Sequence, residues 1–184
     1  MKVTVKSGII FAVLWFLTKL LLFWTGNSLE TFKVSVLLNM LFAVMAISFG
    51  LYFQKRKDTE QSNLLRDIKN GLTAGIPYAI LITLFIYTYY NKIDKSYIQH
   101  QLREREVALD KDLANKSKLK QARNANPNYE VMTIKQIKAK EMDKLHNVFN
   151  AKSVAIITLS ALLLYCTINS LIIAIILKKI VFRE

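Results

Sequence analysis

Gly71-Leu-Thr-Ala-Gly-Ile-Pro-Tyr-Ala-Ile-Leu-Ile-Thr-Leu-Phe-Ile-Tyr-Thr-Tyr-Tyr90 runs without a charged side chain, and the polar Asn91-Lys-Ile-Asp-Lys-Ser96 follows it at once. The apolar core of a bilayer is about 30 Å thick, which takes roughly 20 helical residues at about 1.5 Å each. No water is present at that depth to satisfy peptide groups, so such a run crosses as a helix. Three other runs pass the same test: Gly8–Thr25, Val34–Phe53 and Ser153–Leu177. The composition, 53% hydrophobic yet 21% charged, is therefore segregated rather than mixed. These runs predict an all-α polytopic membrane protein with four transmembrane helices and a helical hairpin projecting between helices 3 and 4. The divisions are 1–90 for the first three spans, 91–152 for the hairpin, and 153–184 for the fourth span with a basic tail.

Downstream of Tyr90, the stretch 91–152 holds more than half of the 26 Lys and Arg and both histidines. Tyr97 to Arg123 has good helix composition with interleaved charge, as in Arg103-Glu-Arg-Glu106, the pattern of a solvated helix and not of a nucleic-acid groove. Either a break near Asn91–Ser96 or a frayed tip is expected to absorb the greater length of the first arm, which Asn124-Ala-Asn-Pro127 stops. Tyr129 to Asn150 is predicted as the second arm, with Val131, Ile134, Ile137, Met142, Leu145, Val148 and Phe149 in one sector. Lys138 and Glu141 interrupt that sector and are spaced to pair with each other. The absence of Gly and Pro beyond Asn128 predicts that this arm runs straight into the fourth span. The stripe is the candidate partner-binding surface.

Upstream, Asp58 to Asn70 is expected either to form a short helix in the headgroup region or to be a solvated linker. Gly71, Gly75 and Ala79 place small residues on one face of span three, and Gly50 does the same in span two, so close helix packing is predicted. Pro77 is expected to bend span three or be absorbed in its first turns. Tyr87, Tyr89 and Tyr90 mark its exit as an interfacial belt, Trp24 marks the exit of span one, and Trp15 is expected to pack inside. The first span starts like a signal peptide but continues to Trp24 without a small-x-small cleavage site, so an uncleaved anchor is expected.

One lysine and two asparagines fall inside the spans: Lys19, Asn39 and Asn169. Lys19 is expected to snorkel along its stem to the headgroups and to share a membrane layer with Asn39. Cys166 is expected to be a small packing residue.

Lys2, Lys6, Lys55, Arg56, Lys57, Arg66, Lys69, Lys178, Lys179 and Arg183 fall on one side of a four-span chain, and Lys33 alone in the short loop opposite. The positive-inside rule then places both termini in the cytoplasm of a bacterial inner membrane and the hairpin 91–152 in the periplasm. A net charge of +13 points to anionic lipid headgroups or an acidic partner before nucleic acid. No glycine-rich phosphate loop, His-Glu-x-x-His or nucleophile elbow occurs, and His100 and His146 lack further ligands at metal spacing. No enzymatic activity, catalytic residue, metal or cofactor is expected.

The order of features resembles that of a family of small bacterial membrane proteins, found mainly in Bacteroidota, known as domain of unknown function 4199. Lys6-Ser-Gly8, Gln54-Lys-Arg-Lys57, Asp67-Ile-Lys-Asn-Gly71-Leu-Thr-Ala-Gly75, Tyr89-Tyr-Asn-Lys-Ile-Asp94 and the closing Lys178-Lys179 carry the likeness. It implies a membrane fold and no particular activity. The expected role is a non-enzymatic accessory or scaffold subunit of an inner-membrane complex, bound to a larger membrane protein through its spans and hairpin. The competing expectation is a small transporter or channel subunit acting as a homo-oligomer, with Lys19, Asn39 and Asn169 along its path.

Overall fold

The computed structural model describes residues 1–26, 29–57 and 63–181, with side chains up to 179. Among the described residues four helices are long and apolar enough to cross a membrane. They are α1 (Val3–Trp24), α2 (Phe32–Lys57), α3 (Leu64–Thr88) and, after the extramembrane helices, α7 (Ala151–Ile176). A π-helical turn, Tyr89–Ile93, prolongs α3. The extramembrane part, here called the cap, contains α4 (Ser96–Ala114), α5 (Lys116–Ala125), a 3-10 turn at Pro127–Tyr129 and α6 (Ile134–Val148). The chain is thus an all-α polytopic membrane protein. Helix α3 is the hub of the bundle: α7, α1 and α2 all pack on it, while α7 meets α2 over a shorter stretch.

The bundle closes by glycine at the end that carries the N-terminus. A Cβ at Gly8 would run into the Ala74 carbonyl oxygen, and one at Gly50 would stand 3.1 Å from the Ala74 Cβ. On the opposite side of α3, a Cβ at Gly75 would lie 2.8 Å from the Cys166 Cβ. Three helices therefore approach α3 at backbone distance, as small residues permit in lipid. Ala79 is fully buried in the same core. Ser7 Oγ donates to the Ala46 carbonyl at 2.8 Å, and the buried Lys55 and Asp67 side chains form an ion pair at 3.3 Å.

Several boundaries differ from the sequence reading, each for a local reason. Residues 64–70 are the first turns of α3 itself and not a separate surface helix, with Asn63 Oδ1 accepting from the Leu65 N–H; residues 58–62 lie outside the described ones. Helix α3 continues through Pro77. The first arm breaks at Asn115, whose side chain caps α5, so the longer arm folds into two pieces. The second arm starts only at Ile134, because Thr133 and Gln136 form a reciprocal capping box. It does not fuse with the fourth span: Asn150 is extended and its Oδ1 accepts from the Ser153 N–H at 2.9 Å, starting α7 afresh. The expected break before Ser96 is present, at Asp94 and Lys95.

Candidate functional site

At the far end of the bundle the glycine seams run out and aromatic residues take over. Phe16 stacks on Phe85 at 4.4 Å, Phe85 meets Tyr89, Tyr89 meets Tyr90, Tyr90 meets Tyr97 of α4, and Tyr97 stacks on Phe32 of α2 at 4.2 Å. This ladder ties the bundle to the cap. Tyr89 and Tyr90 continue the buried face of α3, three and four residues beyond Ile86, and the π-helical turn that starts there leads on to Asp94. Both are buried, so of the three predicted interfacial tyrosines only Tyr87 faces outward. Asp94 ends the turn, accepting from Tyr89 Oη at 3.1 Å and the Ser96 N–H at 2.9 Å.

Large rings in place of glycines hold α2 and α7 apart here, and a cavity of about 450 Å³ remains between them. Its walls come from α1 (Trp15, Lys19), α2 (Phe32, Ser35, Val36, Asn39, Met40), α3 and its π turn (Ile86, Tyr90), and Tyr97 of α4. Val148 and Phe149 roof it, and Val154, Ile157, Thr158, Ala161, Leu162 and Tyr165 of α7 complete it. Trp15 is 2% exposed, and its Nε1 donates to the Ser35 carbonyl at 3.3 Å; Trp24, at 86%, faces outward as expected.

Lys19 does not snorkel. Its side chain turns inward, is 4% exposed, and sets Nζ 4.9 Å from the Tyr89 ring centroid and 5.9 Å from that of Tyr90. Two ring faces replace part of the lost hydration of the ammonium. Asn39 lines the same cavity, but the shared layer predicted for the two residues does not hold: Asn39 bonds Tyr78, three turns of α3 away from the Tyr89 that Lys19 meets. The partner of Asn39 is Tyr78, whose Oη donates to Asn39 Oδ1 at 2.6 Å and to its carbonyl at 2.8 Å. Asn169 stands apart, its Nδ2 bonded to the Tyr165 carbonyl of its own helix at 2.8 Å.

The cap has a core of its own in Leu113, Tyr129 and Ile137. Lys138 does not pair with Glu141. It crosses to α4, with Nζ 2.9 Å from Asp110 Oδ2 and 3.1 Å from Glu106 Oε1, and these bonds hold its pKa above the ordinary lysine value. Glu141 instead accepts from Tyr129 Oη and from Lys144 Nζ at 2.7 Å. Partial burial works against its ionised form, yet the Lys144 and Tyr129 hydrogen bonds outweigh it and the carboxyl is held below its usual value.

The predicted partner stripe is divided by this arrangement. Ile137 is 1% exposed inside the cap core, Val148 and Phe149 form the cavity roof, and Met142 and Leu145 are half-buried. Val131, which precedes α6, is 90% exposed, and Ile134 is exposed beside it. His100 lies 3.6 Å from Glu104 and His146 is exposed; among the described residues no group of three or more His, Cys, Asp or Glu could hold a metal ion.

The inward tyrosines and the buried lysine were missed from the sequence. The signal that could have found the tyrosines is spacing: Tyr89 and Tyr90 continue the helical series of Tyr78, Ile82 and Ile86 on one face of span three. Comparison with curated proteins and with solved structures returns no match. Over residues 6–179 the chain matches the family described as "Protein of unknown function (DUF4199)", and it belongs to that family.

Proposed function

We propose that this protein is a non-enzymatic accessory or scaffold subunit of a membrane-protein complex in a bacterial inner membrane, with the closed end of the bundle as its rigid anchor and the cap as its contact with a larger membrane protein. The observation that carries this reading is the exposure of Val131 beside Ile134 on a cap that already has a core of its own. An apolar pair left outside a satisfied core fits an anchor for a partner. The basic residues gathered at the opposite end favour cytoplasmic termini, anionic headgroups around them and a periplasmic cap.

Photo-crosslinking from position 131 in intact membranes tests the reading. One larger membrane protein captured in stoichiometric yield, and lost in Ile134→Asn, is the expected result. Crosslinks to further copies of this chain alone would overturn it and favour the transporter or channel alternative, for which Lys19 and Asn39 share a cavity but Asn169 lies elsewhere. For orientation, Ser117→Cys in a Cys166→Ala background is expected to react with impermeant reagent from the periplasmic side; labelling from the cytoplasmic side alone would reverse the assignment.

A further inference from the structure

We propose that the cavity beside Lys19 binds an anionic lipid drawn sideways from the bilayer, its acidic headgroup on the Lys19 ammonium and one acyl chain between α2 and α7. The proposal stands independently of the accessory-subunit reading.

The lysine points to an anion. It is 4% exposed, it lines the cavity, and among the described residues it forms no hydrogen bond or ion pair. Two ring faces compensate a buried ammonium only in part, and a carboxylate or phosphate oxygen would complete it. No acidic residue lines the cavity. The nearby carboxylate, Asp94, is not among its walls and is engaged by Tyr89 and Ser96. Other polar groups of the wall suit an anion as well: Tyr90 and Tyr97 carry phenol donors, and Asn39, with Oδ1 occupied by Tyr78, has N–H groups to offer.

The remaining wall points to a lipid. It is aliphatic and aromatic, and its volume of about 450 Å³ falls within the range of about 300–1,000 Å³ typical of small-molecule sites. Val36 and Met40 on α2, and Ile157 and Ala161 on α7, both line the cavity and are exposed on the flank of the bundle, so the mouth opens toward acyl chains and not toward water. Lys19 lies five residues before Trp24, roughly 8 Å along the helix from the interfacial end, a depth a headgroup reaches with little displacement. A cation or an uncharged hydrocarbon would add nothing to the partial compensation that the two rings provide.

The two tryptophans provide the assay. Trp24→Phe leaves Trp15, which lines the cavity and is shielded from surrounding lipid, as the sole indole fluorophore. The full chain is reconstituted in vesicles containing phosphatidylglycerol or phosphatidylcholine with brominated chains. Quenching of Trp15 is expected at roughly ten-fold lower mole fraction of the anionic lipid, the effect of about one charge-assisted hydrogen bond. Lys19→Met should abolish the preference and Lys19→Arg retain it. Equal quenching by the two lipids, or a preference that survives Lys19→Met, would overturn the proposal, as would absence of quenching by either, the result expected if a partner helix fills the cavity. If Lys19→Met does not fold, Ala161→Phe serves instead: it adds bulk at the mouth, touches no polar group and should remove quenching by both lipids with helix content unchanged, whereas undiminished quenching would again refute the site.

Discussion

Gly71 of α3 packs directly against Ser170 of α7: a Cβ at Gly71 would stand 2.8 Å from the Ser170 Oγ and 2.9 Å from its Cβ. That contact and the one between Gly75 and Cys166 set the distance between the two most extensively packed helices of the bundle. Gly71→Ala is therefore expected to lower stability by about 1–3 kcal/mol, the cost of overpacking. Adding Ser170→Gly should return part of it. Thermal unfolding in detergent measures both, and a coupling smaller than about 0.5 kcal/mol would mean that the seam adjusts freely.

Lys55 and Asp67 form the buried ion pair at the closed end, their side chains each 6% exposed. Replacing one partner, as in Asp67→Asn, puts an unbalanced charge in that position, and breaking a buried pair costs up to about 3–5 kcal/mol. The double replacement Lys55→Met with Asp67→Leu is expected to be better tolerated than either single change. Yield of monodisperse protein and its thermal midpoint give the comparison; a double variant worse than both singles would show the pair to be structurally irreplaceable.

Tyr78→Phe removes the bonds to Asn39 in the middle of the membrane. Interhelical hydrogen bonds there contribute about 0.6 kcal/mol on average and up to about 1.7, so a loss in that range is expected. Pairing it with Asn39→Leu should restore most of the stability, since no polar group is then left without its partner. Chemical unfolding of the reconstituted protein tests the pair.

Acid should loosen the cap before the bundle. Glu141 is held below the ordinary carboxyl value of 4.5 by Lys144 and Tyr129. Its contribution is complete above that value and is lost as pH falls through the lowered one. Pepsin cleavage within 134–148 is expected to rise as pH drops below about 4.5, and Glu141→Gln should flatten that rise. An unchanged profile in the variant would remove Glu141 from the account.

Apolar length and burial preference made the four spans, the contrast between Trp15 and Trp24 and the break before Ser96 legible in the sequence. What was not legible depended on single residues that redirect the backbone. Asn115 and Asn150 each cap a helix, but in a polar run one asparagine looks like another until its side chain is seen accepting from the next turn. Thr133 and Gln136 had the spacing of a capping box, which outweighed the continuous helical composition around them. The partner of Lys138 lies 28 residues away across the hairpin, beyond any local pairing rule. The site was half legible: Lys19 and Asn39 were marked as polar in a span, but the inward turn of Lys19 depends on the ring faces of Tyr89 and Tyr90, which lie 70 residues further along the chain.

The extended Asn150 has a last consequence. The cap joins the bundle through two short non-helical links, at Asp94–Lys95 and at Phe149–Asn150, so it can change posture without unwinding a helix. Tyr97 and Phe149, which adjoin those links, are also walls of the cavity. Any molecule that fits the cavity better in one posture is then thermodynamically coupled to any partner that grips the cap in that posture, and each alters the affinity of the other by the same factor.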